Sequence, residues 1–237
     1  MIRTMMSNSQ PITHKASLDW VRTIEEGKGY MAIDPDSFLK LLRNMEGYSF
    51  FRTLRKHVKP EDSVLEAGCG WAFSSFALAK EHIRVIALDI SGKLIADLVT
   101  LKRRLGQPYD SFLFPLEGDI FNLDRIVQKQ NVIFSDGTYE HFTKDARIIF
   151  LRNIRNALKD GGTFMIQVPN MGNPFFGSVV GNKMPMLFPF TMKSLSSELH
   201  AAGFHLCERG YSFVNPGFEQ WVQSQWRLNG KFCRLKM

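Results

Sequence analysis

The stretch Val64-Leu65-Glu66-Ala67-Gly68-Cys69-Gly70-Trp71-Ala72 constrains the fold of this chain more than any other. An apolar run reads as a buried strand over Ser63–Glu66, ends in an acid, and turns through glycines into a helical pattern over Phe73–Lys80. Glycines at such a turn let backbone approach a ligand with no Cβ in the way, and the helix start offers free N–H groups to an anion. A strand of this kind belongs in an open α/β sheet, where ligands lie in the crevice at the carboxyl ends of the strands.

The rest of the chain supplies the alternation that such a sheet needs. A second apolar strand is expected over Arg84–Asp89, and Ser91 is placed to cap the next helix. That helix puts Leu94, Leu98, Leu101 and Leu105 on one stripe and stops at Gly106, which tolerates a left-handed helix end. A third strand over Phe112–Leu116 contains Pro115, which has no N–H for a ladder and so belongs on an edge. An order of 3-2-1-4-5 would put it there. Val132–Ser135 reads as a fourth strand, Thr143–Leu158 as a helix ended by Gly161-Gly162, and Thr163–Val168 as a fifth strand. Upstream, Asp36 is placed to cap a helix carrying Phe38, Leu41, Leu42 and Met45, and Phe50, Phe51, Leu54 and Val58 continue the pattern after Gly47. The expectation is α/β, a doubly wound and mostly parallel sheet with helices on both faces. Residues 1–60 form a tail and helical extension, and 61–237 the Rossmann-like domain. Residues Trp221 and Trp226 lie in a C-terminal part that suits either a final antiparallel strand or a helix.

Composition narrows the function classes. With 237 residues, 44% of them hydrophobic, the chain can bury one substantial core. No uninterrupted apolar run approaches the roughly 18 to 20 residues of a membrane span. Met1–Ser17 has Arg3 and Lys15 and no acid, but neither the apolar core of a signal peptide nor the arginine density of a transit peptide. Cys69, Cys207 and Cys233 are odd in number and show no C-x-x-C spacing, which argues against a disulfide framework or zinc and fits the reducing cytoplasm. The formal charge of +7 would attract anions, nucleic acid included. Its densest runs, Arg52-Arg55-Lys56-Lys59 and Lys102-Arg103-Arg104, are short and read as solvated helix faces, so nucleic acid is not the favoured partner. Nothing in the sequence sets the oligomeric state.

The anion at the first turn would be either a pyrophosphate or the carboxylate of a methionine moiety. A dinucleotide fingerprint needs its third glycine at position 73, which is Phe73. Asp89, nineteen residues past Gly70 at the end of the second strand, can accept bonds from both hydroxyls of a ribose and serves either ligand.

From Ser63 to Phe213 the chain resembles the class I (Rossmann-like) S-adenosylmethionine-dependent methyltransferases, especially their small-molecule members. Glu66-Ala67-Gly68-Cys69-Gly70 matches the first motif, with Ala72 in place of its third glycine, and Leu88-Asp89-Ile90-Ser91 matches the second. Glu117-Gly118-Asp119-Ile120 is similar to the acidic turn that the family sets against adenine. Ser135-Asp136-Gly137-Thr138-Tyr139-Glu140-His141-Phe142 resembles the fourth-strand segment, Asn156–Phe164 the motif before strand five, and Leu195–Phe204 the late helix ending in Ala-Gly-Phe. The resemblance implies a seven-stranded sheet, S-adenosyl-L-methionine as cofactor, and a small-molecule methyl acceptor. It implies cofactor contacts from Glu66, Gly68, Cys69, Gly70, Asp89, Ile90, Asp119, Ile120 and Ser135.

Each candidate also has a plainer role. Asp89 and Asp119 suit helix caps, Cys69 packing inside the glycine turn, and Trp71 a core position at a helix start. His141 lies just past strand four, where an imidazole could take a proton from a hydroxyl acceptor or simply pack. Ubiquinone-pathway relatives carry a metal-binding acid three positions before the glutamate. Gly137 stands there, so no metal is expected. Residues 171–190, with Phe175, Phe176, Val179, Val180, Met184, Met186, Leu187, Phe188 and Phe190, are strongly apolar for a connector and suit a lid over an apolar or aromatic acceptor. An RNA or protein methyltransferase is the alternative within enzymes, and a catalytically silent cofactor-binding partner subunit the alternative outside them.

Overall fold

The computed structural model describes residues 34–169, 190–212 and 230–236, with part of 18–26. Its centre is a parallel sheet of β1 (Val64–Ala67), β2 (Val85–Asp89), β3 (Leu113–Glu117), β4 (Gln130–Asp136) and β5 (Leu158–Pro169), ordered β3-β2-β1-β4-β5. Beyond β5 the backbone of β7 (Gly230–Lys236) runs antiparallel to it, and β6 (His205–Ser212) runs antiparallel to β7.

Successive residues of each strand feed opposite faces, which is why the strands read as continuous apolar runs. Val64, Val85, Ala87, Val132, Phe134 and Met165 join one core cluster. It is closed by α1 (Pro35–Arg43), α2 (Ser49–Lys56), α3 (Phe73–Lys80) and α4 (Gly92–Leu105). Leu65, Ala67, Ile133, Phe164, Ile166 and Val168 join the other, closed by α5 (Lys144–Ala157) and α6 (Met192–Ala201). The basic runs 52–56 and 102–104 contribute exposed residues to helices, and Arg55 pairs with Glu81.

Several expected details stand. Ser91 Oγ accepts from Leu94 N at 3.3 Å, and Gly106 ends α4 at φ +68°. Pro115 lies on the edge strand β3, opposite Ala87. Others need correction. Asp34, not Asp36, caps α1, accepting from Asp36 N at 3.1 Å and Ser37 N at 3.0 Å. Pro35 is the cause: it lacks an N–H and is preset for the first helical position, which makes its predecessor the cap. Leu41, expected on the apolar stripe, is exposed. Gly161-Gly162 does not end α5, because Leu158 already pairs with Gln130 and the strand resumes at Thr163 opposite Val132. The glycines serve the irregular stretch between. Gly161 takes φ +72°, and a Cβ on Gly162 would lie 2.8 Å from the Lys159 carbonyl oxygen.

A partly buried ion pair ties α5 to α6. Arg147 reaches Glu198 through Nε at 2.9 Å and Nη2 at 2.8 Å, and donates Nη1 to the Phe142 carbonyl at 2.8 Å. Tyr139 Oη donates to the same glutamate at 2.8 Å, and Phe190 stacks on the Tyr139 ring at 5.5 Å. Phe190 is the one part of the apolar connector 171–190 among the described residues. No helix among them is long and apolar enough to cross a membrane.

Candidate active site

The turn after β1 is fastened to β2 before any ligand is considered. Gly68 N and Cys69 N both donate to the Leu88 carbonyl, at 2.9 and 2.8 Å, and Gly70 N donates to Asp89 Oδ2 at 3.0 Å. Asp89, 4% exposed, uses its other oxygen to accept from Ser91 N at 3.0 Å. Its carboxylate therefore bridges the glycine turn to the start of α4.

Two glycines are required by their conformations. Gly68 has φ +75°, and a Cβ there would sit 2.5 Å from Thr138 Oγ1, whose hydroxyl donates to the Gly68 carbonyl at 3.0 Å. Gly70 has φ +49°, and a Cβ would meet nothing within 4 Å. The turn is thus tight against the β4 loop on one side and open on the other, a cradle that fits the carboxylate end of a methionine moiety. Ala72, at the third glycine position, adopts φ 55° and is buried at 1%. Its left-handed backbone costs about 1–2 kcal/mol, offset in part by a buried methyl group.

Glu66 does not face open space. Its carboxylate accepts from Ser75 N at 3.3 Å and Ser75 Oγ at 2.5 Å, doing for α3 what the side chain of its N-cap Ala72 cannot. Burial pushes this carboxyl up to about 8, against the lowering bond from Ser75. Cys69 is buried and its thiol is pushed well up by the same cause. Ser135 is fully buried and gives its hydroxyl to the Ala67 carbonyl at 2.9 Å, stapling β4 to β1. Asp119 Oδ1 accepts from Phe121 N at 3.0 Å, and Ile120 behind it is buried. Ile90 is half-buried at the end of β2, and Trp71 is partly buried against the first core cluster. His141 is half-buried in the short turn Tyr139–His141, its backbone N–H bonded to the Thr138 carbonyl at 3.2 Å.

A second group of polar residues stands at the ends of β4 and β5. Asp136 accepts from Tyr48 Oη at 2.8 Å and from Gln167 Nε2 at 2.9 Å, and that amide nitrogen also contacts the Tyr48 hydroxyl. Burial pushes the Asp136 carboxyl up to about 6, while the Tyr48 bond lowers it. Glu140, 3% exposed, has a buried Oε2 with no hydrogen-bond partner, and burial pushes its carboxyl up to about 8. Sequence reasoning did not single out Tyr48, Asp136, Gln167 or Glu140. The signal was present in two of them: Gln167 interrupts the apolar run of β5, and Asp136 is the acid that ends β4. Among the described residues no group of three or more His, Cys, Asp or Glu is arranged to hold a metal ion.

A glycine turn after β1, an acid at the end of β2 and a crevice at the carboxyl ends of a 3-2-1-4-5 sheet define a Rossmann-like fold. Residues 64–162 match the family described as methyltransferase domain. Over these residues the chain is similar to the class I methyltransferases, whose methyl donor is S-adenosylmethionine.

Among solved structures, a 1,6-didemethyltoxoflavin-N1-methyltransferase of Burkholderia thailandensis, bound to 1,6-didemethyltoxoflavin and S-adenosylhomocysteine, matches at TM-score 0.65 and 19% identity. The match covers 99% of this chain and 92% of that one. A glycopeptide N-methyltransferase complexed with S-adenosyl-L-homocysteine matches at TM-score 0.64 and 13% identity, over 80% of this chain and 88% of that one. A curated relative, the cypemycin N-terminal methyltransferase of a Streptomyces species, is 34% identical over 106 residues. That match takes in 42% of this chain and 39% of the relative, so the chain spans about two fifths of the curated protein it resembles.

Proposed function

We propose that this chain transfers the methyl group of S-adenosylmethionine to a small, apolar or aromatic molecule in the cytoplasm. One observation carries the reading: the Asp89 carboxylate is locked to Gly70 N, which fixes an acid beside a glycine turn open on one side. In this reading Gly68, Cys69 and Gly70 receive the methionine end, with Glu66 holding the turn and Ser135 the neighbouring strand. Asp89 takes the ribose hydroxyls, and Ile90, Asp119 and Ile120 the adenine side. The relatives support the reading because two of them hold the demethylated cofactor and several act on small molecules or natural products.

Displacement at a sulfonium has a good leaving group, so alignment of acceptor and methyl supplies much of the rate. His141, past the end of β4, is our candidate base for an acceptor that must lose a proton. Residues 171–190 are our candidate wall or lid on the acceptor side. We take residues 61–237 as one methyltransferase domain with a seven-stranded sheet, and 1–60 as a tail and helical extension.

The test is turnover. With isotopically labelled donor and a pool of soluble metabolites, mass analysis should find a product carrying the labelled methyl group. Cofactor binding with no labelled product across the pool would favour a silent, partner-supporting role instead.

A further inference from the structure

The acceptor itself leaves a trace in the polar groups at the end of β4. Resting on the methyltransferase reading, we propose that the methyl acceptor is an amine, held at its nitrogen by the carboxylate of Asp136 within the Tyr48–Asp136–Gln167 constellation.

Three observations converge. First, Asp136 is the last residue of β4 and stands in register with Gln167 of β5, at the strand ends where the crevice opens. Second, it is held rather than neutralised. Tyr48 and Gln167, 7% and 6% exposed, each donate one bond to it, and both are uncharged donors. Asp136 is half-buried as a residue, and the constellation fixes its carboxylate in place. Third, a second carboxyl group stands within electrostatic reach of Asp136. The Glu140 carboxylate folds back on Gly137, with Oε1 3.7 Å from where a Cβ would stand, and its buried Oε2 has no partner. The charge of Asp136 acts on both Glu140 and Glu66.

A buried acceptor atom without a donor costs roughly 1–3 kcal/mol unless a ligand satisfies it. A group bearing several N–H donors and positive charge fits this place, whereas an alcohol or phenol offers a single donor and no charge. The chemistry also suits nitrogen. One N–H proton passes to the Asp136 carboxylate. The freed nitrogen lone pair forms the new N–C bond as the C–S bond breaks, and sulfur keeps that electron pair. The sulfonium becomes a neutral thioether, the positive charge moves to nitrogen beside Asp136, and the proton on Asp136 leaves to solvent. A carboxyl held up to about 6 by burial is nearer to proton-accepting work at neutral pH than an ordinary aspartate.

Calorimetry on protein saturated with S-adenosylhomocysteine tests this with two probes of matched shape, 2-phenylethylamine and 2-phenylethanol. The amine should bind at least about tenfold more tightly, the low end for a charge-assisted bond. Asp136→Asn should abolish that preference and keep affinity for S-adenosylhomocysteine within about twofold. Asp136→Ser gives a second carboxylate-free variant with the same expectation, and the comparison of probes on the wild type needs no variant. Equal binding of the two probes, no binding of the amine, or a preference that survives in either variant would overturn the proposal. Failure of the wild type to bind S-adenosylhomocysteine would contradict the methyltransferase reading instead.

Discussion

Asp89 and Gly70, nineteen residues apart, are joined by a 3.0 Å bond from the glycine N–H to the carboxylate Oδ2. The acid proposed to hold a ribose thus also sets the shape of the glycine turn, so the two halves of the proposed cofactor site are one mechanical unit. Asp89→Ala should weaken S-adenosylmethionine binding by about 1.5–3 kcal/mol, since it removes charge-assisted bonds and loosens the turn. Calorimetric titration of the variant, with circular dichroism to check its fold, measures this. Wild-type affinity in a folded variant would mean that the ribose is held elsewhere.

Gly68 faces a different constraint. Gly68→Ala puts a methyl group 2.5 Å from Thr138 Oγ1 at φ +75°, and should cost at least about 2 kcal/mol from backbone conformation and clash together. Adding Thr138→Ala removes the two closest atoms, leaving its Cβ at 3.0 Å, and should recover most of the clash but not the backbone share. Urea titrations of the single and double variants give both numbers. Full recovery in the double variant would show that the backbone there carries no strain.

Much of this architecture was legible in the sequence because burial on both faces of a parallel sheet leaves few ways to read runs such as Val64-Leu65 or Val132-Ile133-Phe134. The glycine turn, Asp89, the Ser91 cap, Gly106 and the edge position of Pro115 each follow from local chemistry. The cap at Asp34 was missed because Asp36 also suits the role and only Pro35 decides between them. The β4–β5 constellation was missed for another reason: it is assembled by tertiary contact, with Tyr48 reaching Asp136 across 88 residues and Gln167 reaching it across 31. Helical spacing assigned residues around Tyr48 to a packing face, and nothing local announces that a hydroxyl there meets a carboxylate.

The connector 171–190 enters the described fold through Phe190, which stacks on Tyr139 and lies 4.7 Å from the Arg147 guanidinium carbon. If the connector closes over the acceptor, its amides should gain hydrogen-exchange protection when S-adenosylhomocysteine and an acceptor bind. Equal protection with and without ligands would show a permanently packed segment and remove the lid.

Two buried carboxyls and the half-buried Asp136 make stability depend on pH in a definite direction. Glu66 and Glu140 are raised from 4.5 to about 8, and Asp136 from 3.8 to about 6, all chiefly by burial. Between the unfolded and folded values the native state holds protons that the unfolded chain has lost, so stability falls as pH rises. The window is about 4 to 6 for Asp136 and about 4.5 to 8 for the glutamates, with a slope of at most about 1.4 kcal/mol per pH unit for each group. Urea midpoints at pH 5.5 and pH 8 should therefore decline, and Glu140→Gln should flatten the decline. A midpoint that rises over this interval would contradict the burial of these groups.

The central claim is that the turn from Glu66 to Ala72 serves S-adenosylmethionine and not a dinucleotide. Calorimetric titration of the intact chain with S-adenosylmethionine, S-adenosylhomocysteine and NAD tests it most directly. The account predicts micromolar dissociation constants for the first two, about −8 kcal/mol of binding free energy, and no comparable binding of NAD. Tighter binding of NAD, or no binding of either sulfur-containing ligand, would contradict it.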